Sequence, residues 1–318
     1  MRSKTGFVSG EELAKKLNFS RTAVWKHIKT LRQNGYSIEA IPSKGYRLTS
    51  VPDVILPDDV RKGLKTSVIG RKLHLLPETG STNTLAASMA REGADEGTVV
   101  IAELQTGGKG RLGRTWTSPP GNLYLSVVLR PDIPPYKAPL ITLMGAVAVA
   151  STIRELLKLR AGIKWPNDIY FAGKKMGGIL TEMSAEPDRI HHVVLGIGID
   201  VNMDLNELPA EIRRMSTTLA VETGGKIDRT ALLQQLLSEL DRWYAKFLEN
   251  ETSVLAEWRK LDITLGSRVS VAFGSGAVME GIADDLDQEG RLVLRLKDGT
   301  LRTVAAGDVT IQKGAGDR

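Results

Sequence analysis

Hydrophobic positions change rhythm twice along the chain, and the three stretches this makes predict three kinds of domain. The first is helical. Ser9-Gly10-Glu11-Glu12 forms a capping box in which Ser9 caps the first turn and Glu12 reaches back. The helix predicted over 11–17 puts Leu13, Ala14 and Leu17 on one face. Asn18-Phe19 makes a turn, and Ser20 caps a longer helix to about Asn34, striped by Val24, Ile28 and Leu31 and stopped by Gly35. Two short alternating runs flank Pro42-Ser43-Lys44-Gly45, a hairpin with Lys44 at its tip. Two helices, a tight turn and a hairpin predict a winged helix-turn-helix over residues 1–50.

The middle stretch mixes both periods. Pro52 and Pro57 mark 49–59 as a connection and set the linker at 51–60. Apolar runs at 72–76, 98–104, 123–129, 179–183 and 193–201 read as strands, and 83–91, 138–159 and 232–247 as helices. Trp243, Tyr244 and Phe247 close the last helix as a core cluster. From 264 to 312 the pattern is all β, with short alternating runs separated by Gly274-Ser275-Gly276, Asp287-Gln288-Glu289-Gly290 and Asp298-Gly299. It predicts a small SH3-like β-barrel at 263–318, after a central domain at 61–262. The fold class is α+β multidomain.

A length of 318 residues suits two or three such domains. The chain has no cysteine, which excludes a disulfide frame, a thiolate metal site and a cysteine nucleophile. The four histidines, His27, His74, His191 and His192, lack zinc-like spacing, so no structural metal is expected. The N-terminus lacks the apolar core of a signal peptide. The helix at 138–159, interrupted by Thr142, Ser151, Arg154 and Glu155, reads as too short and too broken to cross a bilayer. A soluble cytoplasmic protein with no membrane partner is the expectation.

Charge sharpens the picture. The net +6 is uneven: residues 1–50 carry ten Lys/Arg against three Glu, leaving 33 against 34 Asp/Glu in the rest. A basic small domain on a neutral body is the footprint of a nucleic-acid binder. Its expected DNA contacts are Ser20, Arg21, Thr22, Lys26 and Lys29 on the second helix and Lys44 on the wing.

Candidate chemistry centres on Gly107-Gly108-Lys109-Gly110-Arg111-Leu112-Gly113-Arg114-Thr115-Trp116. Four glycines and three cations between 107 and 114 disfavour helix and strand, and leave either a solvated basic hairpin or, as the later motifs favour, a loop that closes over an anion. It is neither a P-loop nor a Rossmann turn, since both open a helix and this one runs into a second strand. Glu78-Thr79-Gly80-Ser81-Thr82-Asn83 is a polar turn into a helix. There Ser81 or Thr82 acts either as a cap or, with Asn83, as a ligand contact. Pro166 forces Trp165 extended and leaves Lys164 at a strand end, seeking either an anion or Asp168 as a surface partner. Gly173-Lys174-Lys175-Met176-Gly177-Gly178 reads as a cationic hairpin, and Gly196 and Gly198 as a place where a ligand lies against the sheet.

The loop, Lys164-Trp165-Pro166-Asn167-Asp168, Lys175-Met176-Gly177-Gly178-Ile179-Leu180 and Gly196-Ile197-Gly198-Ile199-Asp200-Val201-Asn202 occur in that order. With the flanking domains they resemble the bifunctional biotin–protein ligase / biotin operon repressor family over essentially the whole chain. The resemblance implies a class II synthetase-like central domain. It implies ATP-dependent, AMP-forming activation of biotin to biotinyl-5′-AMP and its transfer to a lysine of biotin carboxyl carrier protein, a subunit or domain of acetyl-CoA carboxylase. It further implies a biotinyl-AMP-dependent homodimer that represses biotin genes at operator DNA. ATP with Mg²⁺ and biotin would be substrates. Carried onto this chain, Ser81, Thr82, Asn83 and Gln105 would read the biotin ureido ring, and Trp116 would pack under the loop. Gly108, Lys109, Gly110 and Arg111 would clamp phosphate and adenylate, Lys164 would meet the biotin carboxylate and α-phosphate, and Lys175, Gly196 and Asp200 would complete the site. Arg111 and Lys164 would be the catalytic pair. Lys109 stands where the family usually has arginine, and Asp200 where it more often has asparagine. Two other readings are a ligand-sensing DNA-binding regulator without catalysis, and an acyl-adenylate ligase for another acid such as lipoate.

Overall fold

The computed structural model describes residues 6–33, 35–50, 53–274 and 276–312. Arg2, Lys4, Asn34, Pro52 and Ser275, which entered the sequence reading, lie outside the described residues, as do Val51 and 313–318. The chain divides into two compact units, Met1–Val54 and Ile55–Arg318.

The first unit holds α1 (Gly10–Leu17), α2 (Arg21–Gln33) and the antiparallel pair β1 (Ser37–Ile41) and β2 (Gly45–Ser50). The caps are those of the sequence pattern: Ser9 Oγ accepts from Glu12 N at 3.0 Å and Ser20 Oγ from Ala23 N at 3.1 Å. Leu13 and Val24 are buried between the helices. Leu17, expected on the same face as Leu13, stays exposed at the last position of α1, where Asn18 turns left-handed at φ 54°.

The second unit begins with α3 (Pro57–Gly63), inside the stretch expected to be linker. Pro57 at the helix start, with Asp58 and Asp59 in the first turn, is a strong start signal. Val60 is fully buried, and Gln234 Nε2 donates to Asp59 O at 2.7 Å, so residues 57–60 pack with the second unit.

Its centre is a seven-stranded sheet. In chain order come β3 (Leu73–Thr79), α4 (Thr82–Arg91), β4 (Val99–Gln105), β5 (Leu123–Leu129), α5 (Pro139–Leu157), β6 (Gly162–Lys164), β7 (Asp168–Phe171), β8 (Lys174–Ala185) and β9 (Ile190–Ile199). The strand order is β3-β4-β5-β9-β8-β7-β6, parallel between β3 and β4 and antiparallel elsewhere. The cationic hairpin expected at 173–178 is in fact the start of β8, a twelve-residue strand, with the turn at Ala172-Gly173. Every residue of β5 is buried because both sheet faces are covered. Val100, Val128 and Val194 meet Ala86 and Ala90 of α4, while Ile101, Leu125, Val127 and Leu195 face the larger core with α5.

Four helices follow: α6 (Ala210–Met215), α7 (Leu219–Thr223), α8 (Arg229–Glu249) and α9 (Thr252–Leu261). Trp243, Tyr244 and Phe247 of α8 are core, as their clustering predicts. By length and hydropathy the segment Pro135–Leu157 would suffice to cross a membrane, contrary to the expectation that it is too short. Its polar residues do not break it; α5 is instead buried in the second unit, with Leu140 to Ile153 almost wholly enclosed except at Thr142. The C-terminal strands β10 (Arg268–Ala272), β11 (Val278–Leu286), β12 (Leu292–Arg295), β13 (Leu301–Val304) and β14 (Asp308–Ile311) form an antiparallel sheet in the order β13-β12-β11-β10-β14, matching the predicted small β domain. Trp165 anchors it to the central sheet: its N donates to Thr264 Oγ1 at 2.9 Å and its Nε1 to Gly290 O at 3.0 Å.

Candidate active site and nucleic-acid face

A cleft of about 540 Å³ opens at one end of the central sheet, within the second unit. It collects side chains from the start of α4, the end of β4, the glycine-rich loop, β6 to β9, the segment around α6 and β14. Ser81, Thr82, Asn83, Gln105, Lys109, Gly110, Arg111, Trp116, Lys164, Lys175, Gly196 and Asp200 all line it. Gly108 alone of the expected cleft residues does not. Its place is inside the loop: it is buried, its O accepts from Trp116 N at 2.9 Å, and a Cβ there would fall 2.4 Å from Trp116 O.

One end of the cleft is polar and uncharged. Ser81 is the N-cap of α4, its Oγ 3.5 Å from Thr84 N. Thr82 donates from N (2.8 Å) and Oγ1 (3.1 Å) to Gln105 Oε1, and Gln105 Nε2 donates to Ser118 Oγ at 2.9 Å. Asn83 donates to Glu182 Oε2 at 2.8 Å and Leu180 O at 3.3 Å, while Ser126 Oγ lies 2.6 Å from Asn83 Oδ1. The amides and hydroxyls are therefore locked in orientation by Ser126, Ser118 and Glu182, none of which the sequence singled out. Gly196 and Gly198 do have close company, but it is protein: a Cβ at 196 would lie 2.0 Å from Asn83 Oδ1 and one at 198 would lie 2.9 Å from Trp116 Nε1. The glycines admit the Asn83 and Trp116 side chains to the cleft wall.

The middle is cationic. The loop folds as a narrow hairpin through the bridges Gln105↔Ser118 and Lys109↔Thr115, turning at Leu112 (φ 55°) and Gly113 (φ 73°). Arg111 points inward, donating to Asn167 Oδ1 at 3.1 Å and Gly307 O at 3.4 Å. Burial pulls its pKa below the ordinary guanidinium value, opposed by Asp308 and Asp168, and it remains charged. Lys164 is likewise pulled down by burial against Asp168 and Asp308; its Nζ donates to Tyr170 OH at 3.2 Å. The surface pair between Lys164 and Asp168 does not form, because Asp168 binds Lys175 at 2.5 Å. Arg114 pairs with Asp308, and Asp308, Val309 and Thr310 bring the C-terminal strands to the cleft. Lys109 is exposed at the loop's edge.

The third part combines Trp116, with Lys175 Nζ 5.2 Å from its ring centroid, the apolar Leu208, Ile212 and Met215, and Asp200. Asp200 is 5% exposed, and burial, opposed by Lys175, pushes its pKa up to about 7. A neutral polar end, a buried cationic middle and an apolar end suit a small uncharged head group, a phosphate chain and a flat heterocycle. Preorganised cations stabilise charge that develops between them. Among the described residues no cluster of three His, Asp or Glu could hold a metal ion. Mg²⁺ would enter on a phosphate chain as part of the substrate.

In the first unit, Arg21, Thr22, Lys26 and Lys29 are exposed on α2 and Lys44 is exposed at the wing, while Ser20 is also exposed and caps α2. Trp25, exposed on the same helix, is absent from the sequence-derived set.

Comparison with known proteins follows the same division. Residues 75–200 match the biotin/lipoate A/B protein ligase family, 1–47 an HTH domain and 264–311 the biotin protein ligase C-terminal domain. The chain is 40% identical over 307 residues to the bifunctional ligase/repressor BirA of Bacillus subtilis (strain 168), covering 96% of this chain and 94% of that one. It is 35% identical over 268 residues to the biotin–[acetyl-CoA-carboxylase] ligase of Mycobacterium tuberculosis (strain ATCC 25618 / H37Rv), covering 81% and 97%. The biotin protein ligase from Aquifex aeolicus in complex with biotin and ATP superposes with a TM-score of 0.65 at 29% identity, over 77% of this chain and 100% of that one.

Proposed function

Because the chain belongs to the biotin protein ligase family in its bifunctional ligase/repressor form, we propose that its cleft joins biotin to AMP and hands the biotinyl group to a carrier-protein lysine, while the first unit binds operator DNA. The observation that carries this is the convergence of Arg111 and Lys164 on the cleft whose other end holds the braced Asn83 and Gln105.

Thr82, Asn83 and Gln105 hold the ureido ring, with Ser81 at the same helix N-terminus. Lys164 steers the biotin carboxylate oxygen onto the α-phosphorus of ATP. A carboxylate–phosphorus bond forms, the bond to the β-phosphate oxygen breaks, and pyrophosphate leaves with the electron pair. Arg111 and Lys109 neutralise the charge that grows on the phosphorus oxygens, with Lys175 beside them, while Gly108 and Gly110 shape the loop hairpin that carries them. Positioning and charge stabilisation supply the rate, and no covalent enzyme intermediate is needed. Trp116 and the apolar wall at Leu208, Ile212 and Met215 flank the adenylate, whose base lies toward Asp200. The acceptor's lysine amine then attacks the acyl carbon and AMP leaves. Shielding by the loop keeps water from the acyl-phosphate bond.

The acceptor is a biotin carboxyl carrier protein, and the adenylate-loaded form is a homodimer that represses biotin genes in the cytoplasm. The outer edge of β3, the end strand of the central sheet, supports a strand-edge contact between copies. Incubation with biotin, ATP and Mg²⁺, read by mass spectrometry and pyrophosphate release, tests the chemistry. Retained biotinyl-adenylate with one pyrophosphate per site supports it; no adduct and no pyrophosphate from folded protein overturns it in favour of a sensor. Adduct only with lipoate or octanoate identifies another acid. Sedimentation with and without biotin and ATP tests the dimer, which an unchanged profile rejects.

A further inference from the structure

Trp25 stands out on α2 as a large indole, 54% exposed, where the other apolar residues of the helix, Ala23, Val24, Ile28 and Leu31, are buried or half-buried. Val24, Ile28 and Leu31 form the inward stripe of α2. At about 100° per residue, Trp25 falls a quarter turn off that stripe and one helical turn from both Arg21 and Lys29. It therefore sits between Arg21 and Lys29, within the exposed arc that these two make with Thr22 and Lys26. Lys29 Nζ lies 5.6 Å from its ring centroid, a contact that holds the indole within that arc. The helix contains no acidic residue, so the arc is complementary to a polyanion along its whole length.

An indole is a poor phosphate ligand, with one N–H donor and no charge. Its broad apolar face matches the one apolar feature on the floor of the major groove, the C5-methyl group of thymine. Resting on the DNA-binding reading of the first unit, we propose that Trp25 is a sequence-reading residue that packs its indole on a thymine methyl in the major groove, while Arg21, Lys26 and Lys29 hold the flanking phosphates. The cations fix register and the indole carries base information.

The test uses the full chain with biotin, ATP and Mg²⁺. Binding sites are selected from a random-sequence duplex library, and the best duplex is measured by fluorescence anisotropy with each thymine replaced in turn by uracil, which lacks only the methyl. For the wild type, uracil at a particular thymine weakens binding about tenfold, which is about 1.4 kcal/mol. Trp25→Ala loses about tenfold on the thymine duplex, no longer distinguishes uracil there, and keeps the wild-type salt dependence; Trp25→Phe retains part of the discrimination. Wild-type indifference to uracil at every thymine overturns the proposal without reference to any variant. So does a uracil penalty that persists in Trp25→Ala, or a shallower salt slope in that variant, which would mark a phosphate contact. If the full chain selects no duplex at all, the DNA-binding reading itself fails and this inference falls with it.

Discussion

Gly196 lies directly beneath Asn83, close enough that a single methyl at 196 would occupy the position of the Asn83 amide oxygen, 2.0 Å away. Asn83 cannot simply move, because Ser126, Leu180 O and Glu182 hold it. Gly196→Ala therefore displaces a braced group from the neutral end of the cleft. Isothermal titration should show biotin affinity falling by tenfold or more, with an overpacking cost to stability of about 1–3 kcal/mol. Unchanged biotin affinity in a folded Gly196→Ala protein would remove Asn83 from the biotin site.

Arg111 joins the loop to the far wall through Asn167 and Gly307 O. A charged hydrogen bond of this kind contributes about 1.5–3 kcal/mol, so Arg111→Ala should release adenylate roughly ten to a hundred times faster. The released adenylate would label lysines on bystander proteins. Retention at the wild-type rate would defeat the clamp.

Lys164 has little company besides the Tyr170 hydroxyl, and its ammonium is substantially buried with Asp168 already taken by Lys175. A desolvated cation of this kind gains most when an anion arrives. Lys164→Ala should abolish pyrophosphate release while thermal unfolding stays close to wild type. Normal release from the folded variant would take Lys164 out of the reaction.

Much of this was legible where one physical constraint dominates a local stretch. Strand β5 matches its predicted bounds because seven successive side chains are buried and six of them are apolar, Ser126 being the exception. The caps Ser9 and Ser20 are readable because N-cap chemistry needs only neighbouring residues. The neutral end of the cleft was half legible: Asn83 and Gln105 stand in a recognisable turn and strand exit, but Ser126 lies inside an apolar strand and becomes visible only once β5 is placed against α4. Asp308 reaches the cleft by packing of the C-terminal sheet, and alternation within β14 carries no trace of that. Gly196 and Gly198 read in the sequence as a bed for a ligand, whereas the folded packing sets the Asn83 and Trp116 side chains against them.

Arg21 and Lys26 are exposed on α2, in the unit Met1–Val54, whereas the cleft lies wholly within Ile55–Arg318. Every phosphate deprived of its cation lowers the slope of log affinity against log salt by about 0.9. The double variant Arg21→Ala/Lys26→Ala should thus lose about two units of slope on any duplex, with ligation rates unchanged. A wild-type slope would mean that neither side chain meets a phosphate.

Asp200 offers the sharpest dependence on pH. Burial raises its pKa to about 7, with Lys175 of β8 opposing; Tyr124 of β5, whose own phenol burial keeps neutral, also registers its charge. An unfolded aspartate titrates near 3.9, roughly three units lower, so the native state holds a proton that the unfolded state has lost. Between about pH 4 and 7 the native chain binds more protons, and stability falls as pH rises, by on the order of 4 kcal/mol in total. That contribution is fully present below about pH 4 and gone above about 7. Asp200→Asn removes the titration, so urea unfolding should find the variant close to wild type at pH 4 and more stable than wild type at pH 8. The same proton matters to the ligand. A protonated carboxyl presents one donor and one acceptor, as an asparagine amide does, whereas the carboxylate presents acceptors alone. Nucleotide affinity of the wild type should therefore match that of Asp200→Asn at pH 6 and fall below it at pH 8, by tenfold or less. Parallel curves for the two proteins from pH 4 to 8 would mean that Asp200 is ionised throughout and that the cleft tolerates its charge.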